Sequence, residues 1–391
     1  MIDSIRFEIS LRHLAVPMAL VLVGVAFSIS GLLLAPGQTW PAQLLNGFYI
    51  TSLSASALFF LASQRLTGAR WSAGLRRIPE ALMLALPVAA LLMLALFFGR
   101  EWIYPWTRPD AFSNTPAIAG KVRYLQIPWV FGRMAVTLFL WTAFAWLFRR
   151  TSLHQDRNPH ASLACHHRLN RYAAAFVVVF AISFTLGAYD WLISLEPEWF
   201  STMFAVYLFA GTFVQGIAAV TLAAVLLRER GLLRDTGGEQ PFQYLGEMLF
   251  AFTTFWAYLW TCQYLLIWYA NLPEEITHYV KRTNGSWVFL FALNFLVNWI
   301  VPFVGLLSRR AKSNLRILKA ISMVILGGRW LDLYVLIMPA FGNGPGNGII
   351  AIPIALGHFA LLYLIFLRSL VSTSLVPLHD PLLEGSPGHG M

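Results

Sequence analysis

The chain has 391 residues, 58% of them hydrophobic and 12% charged, with a mean hydropathy of +0.64. A soluble domain of that length needs far more polar surface, so the composition excludes a water-soluble globule and predicts an all-α polytopic membrane protein. The formal net charge of +10 suggests nucleic acid at first sight, but the placement of the basic residues removes that reading.

In chain order, apolar windows long enough to cross a bilayer fall at 14–34, 45–64, 80–98, 129–148, 173–194, 203–227, 245–270, 286–307, 317–338 and 349–367. Helices are required, because hydrocarbon offers a backbone N–H or C=O no partner outside its own segment. The runs are also too long and too uniformly apolar for barrel strands. The first span, from about Leu14, has no small-residue cleavage site and reads as a retained helix rather than a signal peptide. With ten spans, the side holding the N-terminus carries 19 of the 28 Lys and Arg residues in its loops and termini, and the other side carries 6. That asymmetry predicts cytoplasmic termini, with a C-terminal tail over 371–391. The basicity is topogenic, and no nucleic-acid partner is expected.

Ionisable residues inside spans are expensive and so become functional candidates. Span three opens with Glu80 and span seven with Glu247, near the cytoplasmic ends of outward-running helices. They either complement the helix macrodipole or form the intake of a proton path. Arg133, near the outer end of span four, is a snorkelling side chain or part of an outer polar site. Asp190, near the outer end of span five, is an interfacial cap or a proton-exchanging group. Arg329 and Asp332 lie three apart in span nine and share a face. That spacing suits a structural ion pair, or a relay carboxylate tuned by its guanidinium. His358, after Pro353 in span ten, is a packing histidine or a group that exchanges protons near neutral pH. Arg133, Asp190, Arg329, Asp332 and His358 would together form an outer proton path or a quinone site. The outer segment 99–127, and 271–285 with Glu274, Glu275, His278, Lys281 and Arg282, are interfacial belts or docking surfaces for an extracytoplasmic partner.

The cysteines are Cys165 in a cytoplasmic loop and Cys262 in a span, which provide neither a disulfide framework nor a cysteine metal site. A single span histidine cannot supply both axial ligands of a b-type haem. No glycine-rich phosphate loop is present, so ATP-driven transport by this chain is not expected. An internal duplication is suggested by register: Asp190 precedes Pro197 by seven residues, and Asp332 precedes Pro339 by seven. Glu80 and Glu247, and the pairs Arg149-Arg150 and Arg309-Arg310, fall in matching places. This predicts one four-helix bundle over 45–194 and a second over 203–338, with two flanking helices.

The run Tyr189-Asp190-Trp191-Leu192-Ile193-Ser194-Leu195-Glu196-Pro197-Glu198-Trp199-Phe200-Ser201-Thr202 resembles a motif of the NrfD-like membrane subunits of the polysulfide reductase type. With Lys121 to Tyr124, the ten-span layout and the length, the resemblance covers most of the chain. It is strongest to the smaller, ActF-type subunit of alternative complex III. The resemblance implies a bacterial inner-membrane subunit of an assembly that oxidises quinol and delivers electrons to c-type cytochromes or a similar acceptor. Haem and iron–sulfur clusters are then carried by the iron–sulfur and c-type cytochrome subunits. The larger NrfD-like subunit is the better candidate for the main quinol site. This chain would contribute lipid contacts, contact with a quinol such as menaquinol, and a proton path, with no covalently bound cofactor. A terminal oxidase is a further partner in such assemblies. Asp190 carries over as an outer proton-exchanging group, and Trp191, Glu196, Glu198 and Trp199 as a docking edge. Two other readings stay open: a purely structural anchor of the complex, and an ion or solute transporter. A transporter predicts helices broken by Gly or Pro at midplane. Gly327-Gly328 favours that reading, whereas Gly342 to Gly348 fall in an outer loop.

Overall fold

A computed structural model describes residues 11–108, 120–233, 238–342 and 344–383, which form helices with no strands among them. Part of the expected outer loop 99–127, and residues 384–391 of the expected tail, lie outside the described residues. The first half holds α1 (Leu11–Leu34), α2 (Pro36–Leu66), α3 (Arg77–Leu82), α4 (Leu86–Ala95), α5 (Arg100–Ile103), α6 (Ile127–Arg157) and α7 (Ser162–Gly187). The second holds α8 (Phe204–Glu229), α9 (Gln240–Ala270), α10 (Pro273–Thr283), α11 (Trp287–Phe295), α12 (Val301–Gly305), α13 (Arg309–Ser313), α14 (Leu315–Ile337) and α15 (Ala351–Val371).

Nine described stretches are long and apolar enough to cross a membrane: α1 from Leu14, α2, α3 to α5, α6, α7, α8, α11 to α12, α14 and α15. The expected seventh span, α9, has the length, at 31 residues. Its Trp256, Tyr258, Trp260, Gln263 and Tyr264 dilute its apolar character below that of the other nine. Prolines explain two irregularities. Pro87 cannot donate to the Met83 carbonyl, and the third span passes through a 3₁₀ turn at Met83–Ala85. Pro302 likewise leaves Asn298 without its usual donor, and the chain widens to a π-turn over Leu296–Ile300. Gly327 and Gly328, by contrast, lie inside a continuous α14, so the helix is not broken there.

Helices α2 and α8 form the centre, with 94% and 83% of their apolar windows buried, against 17% for α1. Small side chains let them approach closely: a Cβ on Gly216 would sit 2.0 Å from Ser56 Oγ. Helix α2 packs on α4 and α7, and α6 packs on both of those. In the second half α8 packs on α9 and α14, and the α11 to α12 span packs on the same two. The same four-helix contact pattern thus occurs on either side of the α2–α8 seam. Helices α1 and α15 flank the first unit and meet where Gly24 and Gly357 touch backbone to backbone. The bundle has two ends: the basic end, with loops 67–76, 158–161 and 306–314 and segment 372–383, and the opposite end.

Candidate functional site

An enclosed polar constellation lies between α8, α11 and α14. Arg329 Nη2 and Asp332 Oδ2, one helical turn apart, are 2.7 Å from each other, and both side chains are almost fully buried. Asp332 Oδ1 accepts from Tyr207 OH at 2.6 Å and from Asn294 Nδ2 at 2.7 Å. Asn298, in the π-turn, donates to Asn294 Oδ1 at 2.7 Å and to the Gly328 carbonyl at 2.8 Å, which fixes the orientation of Asn294. Gly211 makes room for the guanidinium, since a Cβ there would lie 1.9 Å from Arg329 Nη2. The Trp256 ring covers the other side, 5.3 Å from Arg329 Cζ. Among the described residues, Arg329 Nε and Nη1 have no hydrogen-bond partner.

A cavity of about 20 Å3, lined by Tyr207, Gln263, His278, Arg282, Asn294 and Asp332 and otherwise by aromatic and aliphatic side chains, runs from this carboxylate toward the opposite end. That is room for about one water molecule, and the lining is polar enough to hold it. Beyond it, a cavity of about 10 Å3 is lined by His278, Arg282, Glu196 and Trp199. Here His278 Nδ1 lies 2.5 Å from Glu196 Oε2, and the His278 ring stacks on Trp199 with 3.8 Å between centroids. Arg282 donates to the His278 carbonyl at 2.6 Å and to the Leu336 carbonyl at 2.5 Å, and lies 3.4 Å from Glu196. Lys281 reaches Glu196 from solvent at 3.3 Å. Burial, and then the Arg282 charge, push His278 down to about 4, so it is neutral at pH 7 and donates from Nδ1. Burial raises Glu196, but Arg282 and His278 outweigh it and hold the carboxyl below its usual range.

The other predicted residues fall elsewhere. Arg133 Nε and Nη2 grip both oxygens of buried Asp190, at 2.7 and 2.8 Å, and the guanidinium lies 4.1 Å from the Tyr124 ring centroid. Asp190 sits in a π-turn, Ala188–Leu192, that ends α7. His358 is buried; its Nδ1 lies 2.9 Å from the Ile354 carbonyl, and Nε2 has no partner among the described residues. The five outer candidates therefore form two ion pairs and a separate histidine, with no hydrogen bond or ion pair joining the three among the described residues. At the basic end Glu80 is enclosed by Arg77 at 2.6 Å, Arg149 at 3.3 Å and the Ser152 hydroxyl at 2.7 Å. Glu247 is half-buried and accepts from Gln243 at 2.9 Å. The two glutamates share no partner among the described residues.

The expected docking edge is corrected by burial. Trp191, Glu196 and Trp199 point inward, and of the four only Glu198 is exposed. The polarity of this run serves internal pairing with α10, because an ionised Glu196 finds three cationic or N–H groups there. Sequence reading missed α10 itself, although its signal was present. Pro273 opens it, Glu274 and Glu275 occupy the first turn, and Lys281 and Arg282 the last, the charge order a helix macrodipole favours. Tyr207, Asn294 and Gly211 were also missed, since each is ordinary within an apolar span until Asp332 faces the first two and Arg329 the third.

An apolar groove of about 250 Å3 opens between α7 and α8, lined by Phe59, Phe180, Phe184 and Phe209 among others. Its one hydroxyl, Thr185, is already bonded to the Ala181 carbonyl at 2.8 Å. The lining fits a hydrocarbon tail but offers no free donor to the carbonyl oxygens of a quinone head. No group of three or more His, Cys, Asp or Glu side chains is placed to hold a metal among the described residues.

These features define an all-α polytopic membrane protein with buried ionic sites at both ends of its bundle. No protein-family model matches the chain, and no curated protein matches it either.

Proposed function

We propose that this chain is an integral membrane subunit of a quinol-oxidising electron-transfer assembly, and that its own contribution is a proton-exchanging carboxylate, Asp332. The resemblance over Tyr189–Thr202 supports the assembly. Asp332 supports the role: a buried carboxylate beside a water-sized cavity that ends at His278 and Arg282. Tyr207, Asn294 and Arg329 are all directed at the Asp332 carboxyl. Taking up a proton would break the pair with Arg329 and turn the carboxyl into a donor to any water entering that cavity. The groove between α7 and α8 lacks head-group donors, so quinol oxidation belongs to partner subunits in this reading. The c-type cytochrome and iron–sulfur subunits carry the electrons.

A purely structural role is the better reading for Glu80, whose oxygens are taken by Arg77, Arg149 and Ser152. The test replaces Asp332 with Asn in the assembled complex and measures quinol oxidation together with proton release in sealed vesicles. Lost proton release with intact assembly and electron transfer is the expected result. Unchanged proton release would make the Arg329–Asp332 pair a packing device.

A further inference from the structure

The basic end holds two arginine pairs, and they are neutralised very differently. The terminal nitrogens of Arg77 and Arg149 are all occupied, by Glu80, Ser152, Asp156, Ser369 and Thr373. Arg65, in the last turn of α2, and Arg76, just before α3, are equally buried but share a single carboxylate, Asp380. Only its Oδ2 serves them, in contact with Arg76 Nη1 and 3.7 Å from Arg65 Nη2. Oδ1 is used locally and accepts from the Leu382 N–H at 3.1 Å. Arg65 Nε and Nη1, and Arg76 Nε and Nη2, are left without partners among the described residues. Two guanidinium groups therefore converge on one oxygen, with four buried nitrogens to spare.

The acceptor comes from the segment after α15, in which Leu375, Pro377 and Asp380 are buried. Residues 372–383 follow α15 without helical structure. They are fastened through the His379 carbonyl, which accepts from Gln155 at 3.2 Å and Ser162 at 2.5 Å, through Leu378 N–H to Asp156 at 3.1 Å, and through the Thr373 hydroxyl, which accepts from Arg149 at 3.2 Å. Burial works against ionisation of Asp380, but Arg76 and Arg65 outweigh it and hold its carboxyl below the usual value. Asp380 is thus an anion seated in a place with more donors than a carboxylate can use. A phosphate group offers three free oxygens with spread charge, and paired guanidinium groups suit that geometry. Arg65 also lies in the last turn of α2, a helix long and apolar enough to cross a membrane.

We propose that Arg65 and Arg76 form a phosphate-binding site at the basic end, and that Asp380 is its internal, displaceable occupant. The inference is independent of the proton role assigned to Asp332. It is tested on the full chain in phosphatidylcholine-containing micelles, by following thermal unfolding as phosphatidic acid or inorganic phosphate is added. Asp380→Asn removes the competitor and is expected to shift half-saturation by at least about tenfold toward tighter binding, the scale of losing a tethered competitor. Adding Arg76→Gln is expected to abolish that gain. A response to phosphatidic acid alone assigns the site to a lipid headgroup, and a response to both probes assigns it to phosphate in general. No gain in Asp380→Asn, or a gain that survives Arg76→Gln, overturns the proposal. If Asp380→Asn does not fold, hydrogen exchange on the unaltered protein decides the question. Phosphatidic acid, unlike further phosphatidylcholine, must speed exchange across 372–383; unchanged exchange rejects the site.

Discussion

Replacing Gly211 with Ala tests whether the Arg329–Asp332 pair is held by geometry as tight as the distances imply. The new Cβ would lie 2.2 Å from Arg329 Cζ and 1.9 Å from Nη2. Ordinary carbon contacts are about 3.5–4.0 Å, so the guanidinium must retreat by about 1.5 Å or α8 must move away from α14. Retreat pulls Nη2 from the oxygen it approaches at 2.7 Å. Leaving a buried charge without its partner costs about 3–5 kcal/mol, and forcing the helices apart costs about 1–3 kcal/mol. The easier response sets the outcome, so a loss of about 1–3 kcal/mol is expected. Equilibrium unfolding of the purified protein in mixed micelles measures it. The decisive experiment is a double-mutant cycle with Arg329→Met, whose slimmer side chain leaves room for the methyl group. With Arg329 already replaced, Gly211→Ala should cost under about 1 kcal/mol. Equal costs with and without Arg329 would refute the steric account.

Three further outcomes follow from the ionic sites. Glu80→Gln leaves Arg77 and Arg149 short of a buried anion and should destabilise by about 3–5 kcal/mol, whereas Glu247→Gln, at a half-buried side chain bonded to Gln243, should cost under about 1 kcal/mol in the same unfolding assay. Arg133→Lys cannot reproduce the two-oxygen grip on Asp190 and should lower the unfolding midpoint, while an unchanged midpoint would show the fork to be dispensable. His278 is held at about 4 against an ordinary 6.5, so the unfolded chain binds the extra proton between those values. Stability should therefore fall as pH drops from about 6.5 toward 4, and Glu196, held below its ordinary 4.5, adds a loss in the same direction below that point. A His278→Gln variant with the same pH slope between 6.5 and 4.5 would rule His278 out as the cause.

Much of the architecture is legible before folding because a bilayer imposes a local rule. Every backbone polar group must be paired within its own segment, so apolar length alone locates the crossing helices. The rule falters at α9, where Trp and Tyr side chains carry apolar bulk that hydropathy undervalues. Even the central position of α2 and α8 has a sequence trace, in their runs of Gly, Ala, Ser and Thr, since only small residues allow such close approach. The Arg329–Asp332 pair is readable for the same local reason, a spacing of three on one helix.

What lies across the bundle is another matter. The bond from Tyr207 to Asp332 joins residues 125 apart in sequence, and the seating of Asp380 beside Arg76 joins residues 304 apart. Both depend on helix rotation and tilt, which apolar periodicity in lipid leaves nearly undetermined because hydrocarbon-facing and buried faces are both apolar. Glu196 shows the consequence. In sequence it stands in an outer loop beside exposed-looking aromatics, whereas in the structure α10 folds over it and supplies His278 and Arg282. Sequence by itself determined that this chain crosses a membrane many times and carries charges inside it. Tertiary structure alone decided which charges meet, because an ion pair needs a partner within about 4 Å, and only packing sets that distance.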